Sequence, residues 1–341
     1  MMRQVCIPHY GPPEVLCVQD VPEPPVTAGA VRIAVQAIGV NFADVLARQG
    51  LYPDAPKPPV VVGYEVAGRL EAVAPDVSGL SPGQQVVALT QFGGYAETVV
   101  VPAAQVFPLP HDMSYTAAAA LPVNYLTAYV MLYLCGALRS AEHVLIHGAA
   151  GGVGLAAVQL CRLRQAVIYG TASASKHAFL RQQGVQHTID YHQEDVPAVV
   201  RRLTAGRGVD IVLDPLGGRS FAQSYKLLAP LGRLIMFGIS RMSQGPRRRP
   251  LAALWQILCM PWFHPVRLLK DNKAVIGINL GHLWDQTTLL RQAVDTLLHL
   301  YQQGQISPVI AQTFPLAEAA AAHRYLQERR NIGKVLLTTE H

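Results

Sequence analysis

The six residues Ala149-Ala150-Gly151-Gly152-Val153-Gly154 carry the clearest chemistry in the chain. They follow a short apolar run, Val144-Leu145-Ile146-His147, and open a segment of helical composition, Leu155 to Arg164. A glycine-rich turn between a strand and a helix is the pattern that takes the pyrophosphate of a dinucleotide, here with Ala149 at the first glycine position. Gly151 lets the backbone approach the pyrophosphate, and Gly154 lets helix and strand pack closely. The helix N-terminus supplies free N–H groups to the anion. A tight turn alone would ask for less than this strand–turn–helix context.

The end of the second strand, Ala166 to Gly170, decides between the two nicotinamide cofactors. An NAD site places Asp or Glu there to hold the ribose 2′-hydroxyl. This chain has Tyr169-Gly170-Thr171-Ala172-Ser173-Ala174-Ser175-Lys176, without an acid. The hydroxyls, Ser173 among them, and Lys176 suit a 2′-phosphate. Tyr191 would close the same pocket. A cation in the first turn of a helix opposes the macrodipole, so an anionic partner accounts for Lys176. The cofactor expected is NADPH. Gly238, at the end of a later strand, is counted with the cofactor-binding residues.

These residues need elements to hold them. After Ala117 strands and helices alternate. The strands are Val144–His147, Ala166–Gly170, Asp210–Asp214 and Gly232–Gly238, with helices Leu155–Arg164 and Lys176–Gln183. That alternation predicts an α/β, doubly wound parallel sheet of the Rossmann kind. Tyr115–Leu138 has helical composition. Residues 1–120 differ, with short Val/Ile runs such as Val31–Val35, Val60–Gly63 and Gln85–Leu89 separated by Gly-Pro turns. They predict a β-rich, barrel-like domain. A helix over Thr287–Gln303 and a closing strand over Lys334–Thr338 follow, and that strand could return to the first domain.

Bulk properties narrow the class. The 341 residues exceed what one core usually holds, so two domains are expected. Half the residues are apolar and 15% are charged, the balance of a well-buried globular protein. The net charge of +6 is spread rather than gathered in one long run, so no nucleic-acid partner is expected. The N-terminus lacks the apolar run of a signal peptide. No stretch reaches the roughly 18 uninterrupted apolar residues that a transmembrane helix needs. Five scattered cysteines with no CxxC argue against a disulfide framework and a structural zinc site. A cytoplasmic setting fits.

With these residues in hand, the chain resembles the zeta-crystallin-like quinone oxidoreductases of the medium-chain dehydrogenase/reductase superfamily. More narrowly, it is similar to the vesicle amine transport protein family. The resemblance covers nearly the whole chain. It is carried by Asn41 to Tyr52, Gly63-Tyr64-Glu65-Val66-Ala67-Gly68, Gly93 to Glu97, the Ala149–Gly154 turn, Gly170 to His177, Asp214 to Gly218 and Gly333 to Leu337. It implies a GroES-like substrate domain built from both ends of the chain, 1–124 and 276–341, with the Rossmann domain, 125–275, inserted between them. It implies a homodimer. It also implies that Lys176 and Tyr191 hold the 2′-phosphate with Ser173 nearby, helped by Arg329 or by its neighbour Arg330.

By the same comparison no metal is expected. Zinc-dependent members carry Cys and His ligands where this chain has Asn41 and Tyr64, and neither is a good zinc ligand. His187 and His192 are expected in solvent, and His147 as a packing or hydrogen-bonding residue. Hydride from NADPH then suits an electron-poor acceptor, a quinone or an α,β-unsaturated carbonyl. The oxyanion that develops needs hydrogen-bond donors. Tyr52 and Asn41 are the catalytic candidates, Tyr52 because related enoyl reductases use a tyrosine there; packing at the cleft edge is the plainer alternative. Asp44 and Arg48, four apart, are expected to pair as scaffolding, and Glu65 to be a structural hydrogen-bond partner.

One segment fits neither domain. Arg247-Arg248-Arg249 precedes the apolar run Leu251 to Phe263, which holds Trp255 and Trp262. A basic cluster beside such a run suits a peripheral contact with an anionic membrane. A helix and loop with a buried apolar face, over the cofactor cleft or at a dimer contact, is the preferred expectation. A membrane- or lipid-associated protein that binds NADPH with little turnover is the second functional hypothesis.

Overall fold

The computed structural model describes residues 1–243, 245 and 250–339. They divide into two compact units. The first holds 1–123 and 281–339 with Ser243 and Gly245, and the second 124–242 and 250–280. The sheet of the second unit continues through Ala274–Gly277, so the return to the first unit begins at 281 rather than at 276.

The first unit is a β-rich, GroES-like body. Its main sheet runs in the order Ile310–Pro315, Lys334–Thr338, Ala30–Val40, Glu65–Val73, Gln85–Leu89 and Val106–Pro108, with Thr98–Pro102 also paired to Ala30–Val40. The Ile310–Pro315 and Lys334–Thr338 strands run parallel and the other pairs antiparallel. β-branched residues such as Val31, Ile33, Val35 and Ile38 are fully buried in its core, where their stiff side chains suit a pleated surface. A two-stranded ribbon, β1 (Met2–Cys6) and β2 (Cys17–Val21), lies outside that order. The expected Val60–Gly63 strand is a single bridge from Val60 to Ile7. Gly63 ends it with φ +107°, where an added Cβ would press on the Tyr95 ring at 2.7 Å.

The second unit is a six-stranded parallel sheet. Its order is His187–Asp190, Val167–Ala172, His143–His147, Val209–Asp214, Leu228–Met236, Ala274–Gly277. Counted from His143–His147 this is 3-2-1-4-5-6, the doubly wound dinucleotide-binding order, whose ligand crevice lies outside the carboxyl ends of the strands. Tyr115–Leu138 is not one helix. Pro122 cannot accept continuation of a helix, so Tyr115–Ala119 stops and Pro122–Tyr129 starts afresh, followed by a wide turn over Val130–Cys135.

Candidate active site

The glycine turn leaves the first strand of the parallel sheet at the switch point. Gly148 turns with φ +66°, and its N–H is held by the Thr171 hydroxyl at 3.1 Å. Gly151 is the N-cap of the Gly152–Leu163 helix and gives it no side-chain cap, which leaves the first-turn N–H groups to an anion. A Cβ at Gly154 would lie 2.4 Å from the Gly148 carbonyl oxygen and 2.7 Å from Ala149 backbone, so only glycine fits. A Cβ at Gly152 would strike the Asn124 amide at 2.4 Å. Ala149 and Ala150 are buried, and Gly170 leaves room for the Ala149 methyl. Val153 is half-buried in the first turn of the helix.

The residues expected at the 2′-phosphate gather at the same carboxyl edge. The register pairs Asp190 with Ala172, so Tyr191 and Ser173 leave adjacent strands side by side. Ser173 precedes the Ala174–Lys176 turn, its hydroxyl 3.4 Å from that of Ser175, and Lys176 is half-buried. Tyr191 packs on His192 with ring centroids 4.3 Å apart. Gly238 lies against Pro215 beyond the fourth strand, where a Cβ would meet the Pro215 carbonyl at 3.0 Å. These groups fit a phosphorylated dinucleotide: an uncapped helix start for the pyrophosphate, and hydroxyls and a cation beyond the second strand. Arg329 belongs to the first unit, exposed, with φ +57°. Arg330 is engaged over the Tyr325 ring at 5.0 Å and with Glu328 at 3.7 Å.

His147 lies between the Thr171 and Ser224 hydroxyls, and burial holds it below the usual imidazole range. His187 is half-buried and stacks on Tyr169 at 4.6 Å rather than standing in solvent; the β-register puts the two side by side.

In the first unit, register brings three distant residues together. Val335 pairs with Val40 and Ile38 with Val66, which sets Lys334 opposite Asn41 and Glu65 opposite Gly39. The Lys334 ammonium donates to Asn41 Oδ1 at 2.6 Å and forms an ion pair with Glu65. Asn41 Nδ2 donates to Glu65 Oε1 at 3.1 Å and to the Gly39 carbonyl at 3.4 Å. The second Glu65 oxygen accepts from Val123 N at 2.7 Å. Gly39 is obligatory, because a Cβ there would lie 2.2 Å from the Glu65 carboxylate. Asn41 therefore has no amide hydrogen left for a substrate, which corrects its expected role as a donor. It anchors the start of the Phe42–Arg48 helix instead, and Glu65 is the expected structural partner.

Asp44 and Arg48 do not pair with each other. Asp44 accepts from Asn41 N at 2.7 Å, Gly63 N at 3.2 Å and the Tyr95 hydroxyl at 3.1 Å. Burial pushes its carboxyl up to about 7 against those donors and the Lys334 charge. Arg48 donates to the Gly11 carbonyl at 2.6 Å, Gln327 at 2.8 Å and His323 Nδ1 at 3.3 Å. Burial, then Arg48, keeps His323 neutral. Its Nδ1 accepts from Arg48, so the proton is assigned to Nε2, which donates to the Tyr95 oxygen 3.0 Å away. The donor sequence Arg48, His323, Tyr95, Asp44 is thus consistent end to end.

Tyr52 is half-buried and meets Tyr64 edge-on at 6.2 Å. Tyr64 packs against Phe92 at 5.3 Å and is 5% exposed. Its buried hydroxyl has no hydrogen-bond partner among the described residues. Burial first, then the Asp44 charge, pushes that phenol well above the usual range, and nearby Tyr52 adds to the effect without hydrogen-bond geometry. Residue type alone could not single out Tyr64 as a donor, since its lack of a partner is a property of the fold. Among the described residues, no group of three or more His, Cys, Asp or Glu could hold a metal ion.

The Arg247–Arg249 cluster lies outside the described residues. The apolar run beside it is covered in part: Ala253 is buried, and Met260 and Phe263 pack against the core of the second unit. Leu251, Trp262 and Leu269, on or between the helices Pro250–Leu258 and Pro265–Asp271, are 81%, 87% and 77% exposed. No helix among the described residues is long and apolar enough to cross a membrane.

Known proteins share this arrangement. The alcohol dehydrogenase GroES-like domain family matches residues 27–111, and the zinc-binding dehydrogenase family matches residues 183–337. The synaptic vesicle membrane protein VAT-1 homolog of Danio rerio is 44% identical over 324 residues, 93% of this chain and 66% of the relative, so the chain spans about two thirds of that protein's length. Its Homo sapiens counterpart is 41% identical over 345 residues, 99% of this chain and 86% of the relative. The structure of Escherichia coli quinone oxidoreductase complexed with NADPH superposes with a TM-score of 0.88 at 28% identity, covering 98% of this chain and 99% of that one. A Rossmann sheet in 3-2-1-4-5-6 order, a GroES-like body made from both ends of the chain and these matches through both units agree: the chain belongs to the zeta-crystallin-like quinone oxidoreductase branch of the medium-chain dehydrogenase/reductase superfamily, which its VAT-1 homologue relatives share.

Proposed function

We propose that this protein is an NADPH-dependent oxidoreductase that reduces a quinone or an α,β-unsaturated carbonyl without zinc. The observation that carries the reading is the uncapped, glycine-only helix start at the switch point, with Ser173, Lys176 and Tyr191 at the same strand edge. When bound, NADPH supplies the hydride, chemistry that no side chain of the protein can provide. The first-turn N–H groups after Gly151 hold the pyrophosphate, and Lys176 pairs with the 2′-phosphate.

The acceptor's oxygen gains negative charge as it is reduced and needs a donor. The Tyr64 hydroxyl suits this role, being buried, protonated and without a hydrogen-bond partner among the described residues. Tyr52, beside it, delivers a proton to the same oxygen. Lys334 argues against zinc at Asn41, since a dication there would sit beside a buried ammonium 2.6 Å from the amide oxygen. The protein would work as a cytoplasmic homodimer; the outer edge of Ala274–Gly277, which has no strand partner among the described residues, offers a surface for the second copy.

The test is oxidation of NADPH against NADH with ortho-quinones, para-quinones and enones, run for the native protein and for Tyr64→Phe. NADPH-selective turnover is expected. Loss of one hydrogen bond to the developing oxyanion, worth about 1–3 kcal/mol, would lower kcat/KM by about 5- to 150-fold in Tyr64→Phe. Unchanged kcat/KM assigns the donor elsewhere. Tight NADPH binding without turnover of any acceptor favours the second reading, a lipid-associated protein with the nucleotide as a ligand. The exposed Leu251, Trp262 and Leu269 support that reading, and sedimentation with anionic vesicles would test it.

A further inference from the structure

We propose that Cys6 and Cys17 form a reversible intrachain disulfide that staples the β1–β2 ribbon when the protein meets a peroxide or a disulfide oxidant. The two residues are direct partners in the antiparallel register. Directly opposed side chains lie on the same face of a sheet. Val5 and Ile7 send their N–H groups to Tyr95 and Val60 on the far edge of β1. The alternate residues Met2, Gln4 and Cys6 therefore aim their backbone groups at β2, and Cys6–Cys17 is a hydrogen-bonded pair. Such pairs hold their Cα atoms about 5.5 Å apart, inside the span of about 4.4–6.8 Å that a disulfide bridges. Cys17 Sγ already lies 3.7 Å from the Cys6 carbonyl oxygen.

Accessibility sets the order of events. Cys17 is half-buried and Cys6 is buried. Burial, then the neighbouring Cys17, pushes the Cys6 thiol up. Cys17 thus meets the oxidant first. Its thiolate attacks one oxygen of hydrogen peroxide, the O–O bond breaks, and a sulfenic acid and hydroxide result. The Cys6 thiolate then attacks the Cys17 sulfur, forms the S–S bond and expels hydroxide. Two thiols and one peroxide become one disulfide and two waters. Glutathione disulfide would act through a mixed disulfide on Cys17, from which Cys6 displaces glutathione. Gly11, within the closed loop, gives its carbonyl to buried Arg48, so the staple would hold one acceptor of the buried polar chain.

The whole protein is treated with hydrogen peroxide, and separately with glutathione disulfide, at mildly alkaline pH. Free thiols are then alkylated under denaturing conditions, the protein is digested without reductant, and peptides are read by mass spectrometry. The expected result is a Cys6–Cys17 linked peptide, two fewer alkylated cysteines, and full recovery with dithiothreitol. Cys6→Ser should leave Cys17 as a persistent sulfenic acid or glutathione adduct, and Cys17→Ser should abolish the fast oxidation. The proposal is overturned if both cysteines stay alkylatable, if Cys17 in the native protein stops at a stable adduct or overoxidised acid, or if the link joins two molecules.

Discussion

Replacing Lys334 by Met should destabilise the first unit severely, and replacing Glu65 by Gln as well should restore most of the loss. The ammonium and the carboxylate are 3% and 0% exposed, and each is the other's only countercharge within hydrogen-bond reach among the described residues. Lys334→Met fills the same space with an apolar chain and leaves Glu65 charged in the interior. Its remaining partners are neutral, Asn41 Nδ2 and Val123 N. Removing one partner of a buried pair costs about 3–5 kcal/mol, whereas removing both charges is often close to neutral. For a unit of this size each kcal/mol moves the midpoint by about 2–4 °C, so the single variant should melt roughly 6–20 °C lower. Thermal unfolding followed by circular dichroism, on the native protein, both single variants and the double variant, measures this. A double variant as unstable as the sum of the two singles would refute the reasoning, because independent sites add and coupled ones do not. A Lys334→Met shift under about 2 °C would refute it too.

Lys176→Ala should weaken NADPH binding by about one to two orders of magnitude, the worth of a charge-assisted hydrogen bond, and leave NADH nearly unchanged. Equal loss for both nucleotides in a fluorescence titration would reject the 2′-phosphate role. Acid stability should report His323. A buried neutral imidazole with a depressed pKa stabilises the fold above about pH 6.5, and that contribution fades as pH falls because the unfolded chain takes up the proton. His323→Gln, whose amide can accept from Arg48 and donate to Tyr95, should therefore remove up to about 1.4 kcal/mol per pH unit of acid-induced loss below that point. Asp44 acts with the opposite sign: raised to about 7, it favours the fold as pH falls from 7 toward 4. Urea midpoints between pH 7 and 5 should thus rise on acidification in the His323→Gln protein, relative to the native one; parallel curves would show that His323 is not held neutral.

How far the sequence reached depended on how local each feature is. The Ala149–Gly154 turn was legible because a strand, a turn and a helix contiguous in the chain determine it. Its constraints are backbone ones, such as the 2.4 Å left for a Cβ at Gly154, that only glycine meets. The sheet order follows from alternation of strands and helices, and the placing of Ser173 and Tyr191, one residue beyond the strand ends at Ala172 and Asp190, follows from the order. Asn41 was legible as a residue and not as a role. The groups that consume its amide, Glu65 and Lys334, lie 24 and 293 positions away, and only antiparallel register on both sides of Ala30–Val40 brings them in. Cys6 and Cys17, ten residues of loop apart, looked scattered for the same reason.

That contrast also bears on where the acceptor's donor should be sought. A side chain that anchors its own neighbourhood cannot also give a hydrogen to a substrate, since leaving its partners unpaired costs about 1–3 kcal/mol for each buried group. Asn41 is spent in this way, on Lys334, Glu65 and Gly39. Tyr95 is spent as well, between His323 and Asp44. The Tyr64 hydroxyl stands differently: it is buried and holds no hydrogen-bond partner among the described residues, so donating to an acceptor's oxygen takes it from no structural partner. What accelerates the reaction is the part of that hydrogen bond that strengthens as negative charge develops on the acceptor oxygen, since any gain already made on binding the neutral acceptor lowers ground and transition state alike.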